Sequence, residues 1–205
     1  MSTGTLWRLF IFPFPIASKA DATSVISSHQ NTRLTYSSLH TQSTSLAHGL
    51  KNLGVRRGDR VAVSLGNNIE FALATYAIFK LGAVLVPLNP SFNTEQVASA
   101  LNHLSTTHLL IGLETNLPWK PPRSNSELLK ELVPGCESVG AIASELVPSL
   151  RGVVVVDNTK GRGRGDSFRK FSKFPDMIED GKGKAHLTEE GMGVDDVVNI
   201  QFTSG

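Results

Sequence analysis

Residues 60–112 read RVAVSLGNNIEFALATYAIFKLGAVLVPLNPSFNTEQVASALNHLSTTHLLIG, and this run decides the fold. Arg60 to Leu65 is an apolar strand built on Val61-Ala62-Val63. Asn67 and Glu70 follow at capping-box spacing and open a helix over 68–81. That helix is apolar nearly all round, with Phe71, Leu73, Ala74, Ala77, Ile78 and Phe79, which predicts burial between layers. Gly82 stops it, and Ala83 to Pro87 is a second strand. Asn89-Pro90 marks a turn. Asn93 and Gln96 then cap an element whose apolar face is Val97, Leu101 and Leu104. His108 to Ile111 is a third strand, closed by Gly112. Strands and helices in strict alternation with short connections predict parallel pairing and right-handed crossovers. The continuous apolar runs predict a sheet covered on both faces. The expected fold class is therefore α/β, a layered arrangement with a mostly parallel sheet flanked by helices.

On the N-terminal side, Thr23 to Ser27 reads as a short strand. Arg33-Leu34-Thr35 leads into a helix capped by Thr35, with Leu39, Leu46, Leu50 and Leu53 on one face and Gly54 ending it. The start, Leu9-Phe10-Ile11-Phe12-Pro13-Phe14-Pro15-Ile16-Ala17, is short, apolar and broken by prolines, with only Arg8 before it. It predicts a strand or packed tail rather than a signal peptide. A mitochondrial leader is the alternative, since acidic residues are absent before Asp21.

On the C-terminal side, the pattern weakens. Residues 113–150 read as a loop-rich insertion. Leu117-Pro118-Trp119-Lys120-Pro121-Pro122 cannot be helix interior, while 126–132 and 139–147 suggest short helices. Val153 to Val156 form a buried strand. Residues 158–193, rich in glycine and charge, read as a second loop-rich insertion, partly mobile. Gly161, Gly163 and Gly165 follow a strand, but their spacing is G-x-G-x-G and no apolar helix opens after them. A solvated loop fits this stretch better than a dinucleotide fingerprint.

Composition bounds the rest. At 205 residues the chain is long enough for one good-sized domain, and 40% hydrophobic content predicts that most of it folds. A net charge of +2 gives no argument for nucleic acid or a membrane surface, and no stretch approaches a membrane span. The single Cys136 excludes an internal disulfide and reads as a loop thiol in a reducing compartment. The six histidines show no metal-ligand spacing, and Asp195-Asp196 reads as a polar turn.

The last nine residues, Val197 to Gly205, alternate as a strand with Val198, Ile200 and Phe202 on one face. They run into Thr203 and Ser204, which add hydroxyl donors, and Gly205, which permits a tight turn. Such a junction is where a chain can point N–H groups at a phosphate, although Thr-Ser-Gly alone is a weak signal.

Asn199-Ile200-Gln201-Phe202-Thr203-Ser204-Gly205 resembles the opening of the signature loop of the AMP-forming adenylating enzymes, and its wording is most similar to the medium-chain fatty-acyl-CoA synthetase branch. Leu34-Thr35-Tyr36-Ser37-Ser38-Leu39 resembles the first core motif of that family, and the segment Phe79 to Pro90 resembles its second. The resemblance implies that residues 1–205 are a partial N-terminal AMP-binding (adenylation) domain, an incomplete part of the adenylating-enzyme fold. It implies activation of a carboxylic acid, expected to be a fatty acid, by ATP and Mg²⁺, then transfer of the acyl group to coenzyme A. It assigns Thr203, Ser204 and Gly205 to nucleotide binding and no residue of this chain to catalysis or metal. The loop Lys, the metal-holding Glu, the ribose-holding Asp and the mobile C-terminal domain with its Lys would lie beyond Gly205. The expectation is thus a fragment inactive by itself, with its final strand flanked by neighbours from that further part. A nucleotide-binding α/β domain of another enzyme type, or a non-catalytic interaction module, are the alternatives. The expected location is cytoplasmic, with mitochondrial or peroxisomal residence as alternatives. Family members usually carry Glu where this chain has Ser38, so the Thr35 cap should be weaker here.

Overall fold

In the computed structural model, which describes residues 19–117, 120–162, 167–184, 187, 193 and 195–202, the alternation over 60–112 becomes the heart of a parallel sheet. A hairpin precedes it: β1 (Thr23–Ser27) pairs antiparallel with β2 (Thr32–Thr35). Helix α1 (Tyr36–Asn52) follows, capped by Thr35, whose hydroxyl oxygen accepts from the Ser38 N–H at 3.1 Å. The Thr35 hydroxyl donates in turn to the Ser38 hydroxyl oxygen at 3.2 Å, a short contact where a longer acidic side chain would reach back to the backbone. Strand β3 (Arg60–Ser64), helix α2 (Ile69–Lys80), strand β4 (Val84–Pro87), helix α3 (Thr94–His103) and strand β5 (His108–Gly112) then succeed one another.

After a small antiparallel ribbon of β6 (Glu114–Thr115) and β7 (Arg123–Ser124) come α4 (Ser126–Leu132) and β8 (Gly152–Val156). Strand β9 (Ser172–Lys173) and helix α5 (Phe174–Gly181) complete the elements. The sheet order is β4-β3-β5-β8-β9, every pair parallel. The chain thus lays β4 on one side of β3 and crosses back to lay β5 on the other.

Both faces are covered, as the apolar runs require. Val61, Val63, Leu110, Val154 and Val156 point into one core with Leu39, Leu46 and Leu50 of α1 and Leu73, Ala77 and Ile78 of α2. Ala62, Leu109, Ile111, Val153 and Val155 point into a second core with Val97 and Leu101 of α3 and Leu129 and Leu132 of α4. Successive strand residues therefore alternate between two filled layers. Among the described residues, no helix is long and apolar enough to cross a membrane.

Four expectations need correction. The α2 cap is Asn68, which accepts from the Phe71 N–H at 2.8 Å, rather than Asn67 paired with Glu70. Gln30 of the hairpin turn explains the shift. Its amide oxygen accepts from the Ile69 N–H at 2.8 Å and its amide N–H donates to the Glu70 carboxylate at 2.8 Å. By contrast, Asn93 and Gln96 form the reciprocal box at α3.

Residues 139–147 contain no helix. Gly140 has φ +148°, a conformation no helix admits, and Val139 is 77% exposed. The stretch 158–193, expected as a loop-rich surface insertion, carries β9 and α5, with Phe174 and Met177 buried against α1. Pro175 sits in the first turn of α5, where a missing N–H costs nothing.

The final strand finds a neighbour within this chain. Leu85 donates to the Val198 carbonyl at 2.9 Å, and Ile200 donates to the Leu85 carbonyl at 2.9 Å, so the segment extends the sheet beyond β4. Ile200 packs against the second core, while Val197 and Phe202 stay 59% and 42% exposed.

His108, at the start of β5, is 1% exposed. Its Nδ1 shares a 2.9 Å hydrogen bond with the Thr107 hydroxyl, and its Nε2 lies 3.5 Å from the Leu53 carbonyl. Burial holds its pKa below the ordinary value of about 6.5, outweighing the Leu53 hydrogen bond and Asp59, which push upward, while Arg151 adds to the lowering. The unfolded chain then binds a proton that the folded chain resists. The stability tied to neutral His108 is complete above about pH 6.5 and is lost as pH falls toward the lowered folded value. His108→Gln is expected to flatten the drop in melting temperature between neutral and mildly acidic pH by a few degrees. Parallel melting curves for the two proteins across that range would overturn this.

Candidate functional site

In an open parallel sheet, the crevice beyond the carboxyl ends of the strands, where the strand order reverses, is free of covering helix. Here that place lies beyond β3 and β5. A crevice of about 840 Å³ opens there. Ser64, Gly66, Asn67 and Asn68 enter it from the end of β3, Glu114, Thr115 and Asn116 from the end of β5, and Asp157, Asn158 and Lys160 from the end of β8. Pro90 after β4 and the hairpin turn His29-Gln30-Asn31 complete its wall. Another groove of about 610 Å³ lies between α1, α5 and residues 168–173, away from these strand ends.

The floor is held by side-chain amides. Asn158 Oδ1 accepts from the Glu114 N–H at 2.9 Å, and its Nδ2 donates to the Glu114 carbonyl at 2.7 Å. The amide thus pairs with the backbone as a neighbouring strand would. Gly112 makes this approach possible: a Cβ there would lie 2.8 Å from Asn158 Nδ2. Asn125, 4% exposed, donates to the Gly112 carbonyl at 2.8 Å and accepts from the Thr115 hydroxyl at 3.1 Å. Arg123 donates to the carbonyls of Pro90, Ser91 and Phe92 at 3.2, 3.3 and 3.1 Å, fixing the loop after β4.

The charges are largely committed. Glu114 pairs with Arg162 at 2.9 Å. Asp157 Oδ1 accepts from the Thr159 N–H at 3.0 Å and from its hydroxyl at 2.6 Å. Gln30, Asn68 and Asn158 are held by the hydrogen bonds given above, and the further amides on the wall are Asn31, Asn67 and Asn116. An amide offers both donor and acceptor, so the wall suits hydroxyls and base edges. Among the described residues, His29, Ser64, Glu114 and Asp157 line the crevice, but no hydrogen bond links His29 to Ser64 or to either acid.

Thr203, Ser204 and Gly205, the residues expected to bind nucleotide, lie outside the described residues. The described chain reaches Phe202, whose ring centroid is 6.4 Å from that of His103. None of the crevice lining comes from 195–202. Asp196 binds Arg57 at 2.7 Å and the Gly193 N–H at 3.0 Å; the backbone bond first and the guanidinium second hold its carboxyl below the usual range. It ties the terminal segment to the loop before β3 and stays, as expected, a polar turn. Cys136 lies in a turn, as the reading of a loop thiol has it, but it is 1% exposed and burial pushes its thiol pKa up, which disfavours the reactive thiolate. The sequence reading missed the crevice. Its available signal was the set of asparagines that end three strands: Asn67-Asn68, Asn116 and Asn158.

A family model described as "AMP-binding enzyme" matches residues 15–205. The chain is 28% identical over 207 residues to the acyl-CoA ligase SID4 of Ajellomyces capsulatus, covering 98% of this chain and 32% of that protein. It is 26% identical to the mitochondrial medium-chain acyl-CoA ligase ACSF2 of Bos taurus, covering 90% of this chain and 29% of that protein. The crystal structure of the anthranilate CoA ligase AuaEII in complex with anthranoyl-AMP shares the fold, with a TM-score of 0.69 at 18% identity over 93% of this chain and 30% of that one. The chain thus spans about a third of the length of the curated relatives it matches.

Proposed function

The chain belongs to the AMP-binding enzyme family, and from that premise we propose that it supplies the N-terminal part of an AMP-forming acyl-CoA ligase. In the proposed reaction a carboxylate oxygen attacks the α-phosphorus of ATP and pyrophosphate leaves. The thiol of coenzyme A then attacks the acyl carbonyl, AMP leaves, and the thiol proton passes to solvent. The acid is proposed to be a fatty acid. The observation that carries the reading is the family match over 15–205, which spans the segments 34–39, 79–90 and 199–205 in order.

Negative charge shifts among phosphate oxygens in the first step, so fixed N–H and O–H donors are what the chemistry needs. The resemblance gives that task to Thr203, Ser204 and Gly205. The amide-lined crevice is proposed to orient a nucleotide-bearing substrate through its hydroxyls and base. Bound Mg²⁺ would supply charge neutralisation on the phosphates. Among the described residues, no group of three or more His, Cys, Asp or Glu sits together, and Glu114 and Asp157 are already engaged. They do not fit that ion.

The test is pyrophosphate exchange into ATP by the full-length protein that carries this chain. Exchange is expected to require a fatty acid, and acyl-CoA should form when coenzyme A is added. Absence of acid-dependent exchange would overturn the reading. The proposed location is cytoplasmic. The bovine relative's name carries the word mitochondrial, so a tagged full-length protein that co-localises with mitochondria would replace that placement.

A further inference from the structure

The loop that follows β8 is shaped at a conformational cost. Lys160 has φ +54° and Gly161 has φ +82°, and the Arg162 N–H closes the turn on the Thr159 carbonyl at 3.2 Å. Glycine accepts such a backbone freely, whereas a lysine adopts it only where its surroundings hold it. Here they do. Asp157 grips Thr159 through both its N–H and its hydroxyl, and Asn158 is paired with the Glu114 backbone on both sides. The turn is therefore bolted to the ends of β8 and β5, and its product is the placement of Lys160 on the crevice wall.

Among the described residues, the charge there is not already used. Arg162, the neighbouring cation, is taken by Glu114, and Asp157 is taken by the turn itself. Among the described residues, Lys160 is exposed and makes no hydrogen bond or ion pair. Amides line the rest of the opening. The amides of Asn31, Asn67 and Asn116, beside an ammonium with no partner among the described residues, match a ligand that carries hydroxyls, a base edge and a phosphate.

We propose that the crevice takes the phosphate-bearing part of a nucleotide, with Lys160 as its phosphate ligand. The proposal rests on the nucleotide-dependent reading above and adds to it a residue and a place. ATP and coenzyme A both present that chemistry, so the experiment separates them. Isothermal titration of the full-length protein with ATP, and separately with coenzyme A, is compared for wild type, Lys160→Asn and Lys160→Arg. Asparagine tolerates the left-handed backbone but removes the charge, and arginine keeps it. Lys160→Asn is expected to weaken binding of ATP, coenzyme A or both by about fivefold or more, with Lys160→Arg near wild type. The nucleotide that weakens is the one whose phosphate Lys160 meets. Unchanged affinities in Lys160→Asn, equal loss in Lys160→Arg, or no binding of either compound by wild type would each overturn the proposal. Pyrophosphate exchange on the same preparations keeps the two readings apart. Nucleotide binding that depends on Lys160 without acid-dependent exchange would sink the ligase assignment and leave Lys160 in its role.

Discussion

Gly181→Val is expected to unseat α5 and destabilise the protein by about 3 kcal/mol or more. The two helices α1 and α5 touch backbone to backbone. A Cβ added at Gly181 would overlap the Ser45 carbonyl and come within 2.9 Å of Ser45 Cα. On the facing side, a Cβ at Gly49 would lie 2.5 Å from the Met177 carbonyl oxygen and 2.8 Å from Met177 Cβ. Backbone cannot swing aside as the tip of a long side chain can, so the helix itself must move. Its movement would uncover Phe174 and Met177, each 5% exposed or less. Full burial of such a side chain is worth about 1.5–3 kcal/mol, which is why the expected loss exceeds that of a surface change. Urea denaturation should show a lowered midpoint, and amide exchange over 174–181 should accelerate. Gly193→Ala, where nothing lies within 4 Å of the added carbon, should change neither. If Gly181→Val melts like wild type with 174–181 still protected, the close approach is not structural.

This helix pair shows where sequence reading reaches its limit. The run 60–112 was legible because each decision in it is local: an apolar strand, a cap, an apolar helix, a glycine stop. The opposite held for 158–193. Helix α5 has eight residues, and its stripe of Phe174, Met177 and Gly181 contains a glycine where periodicity looks for a hydrophobe. What makes Gly181 valuable is the Ser45 backbone, far away in sequence, and no window sees both. The α2 cap failed for the same reason, since the group that satisfies the Ile69 N–H is Gln30 from the hairpin. The crevice was illegible as a site. Its asparagines belong to three strand ends that meet only when the order β4-β3-β5-β8 is known. Each read singly as a cap or a loop residue.

Thr203→Ala and Ser204→Ala, made in the full-length protein, are expected to lower kcat/KM for ATP by about tenfold or more each. The proposal comes from the resemblance of 199–205 to a nucleotide-gripping loop, and the two hydroxyls lie outside the described residues. A charge-assisted hydrogen bond to a phosphate oxygen contributes roughly 1.5–3 kcal/mol, and about 1.4 kcal/mol is tenfold in rate. One lost bond therefore suffices for the expected drop. If the contact forms equally with bound ATP and with the transition state, KM rises and kcat holds; if it strengthens as charge develops, kcat falls as well. The competing role is that both hydroxyls merely cap a turn after the segment that pairs along β4. That role would lower the melting temperature and spare the kinetics. Ser204→Thr keeps a hydroxyl and should retain most of the activity if the oxygen is what matters. Steady-state ATP kinetics beside thermal melts decide between the roles. A lowered melt with unchanged kcat/KM in both alanine variants would remove Thr203 and Ser204 from the phosphate site.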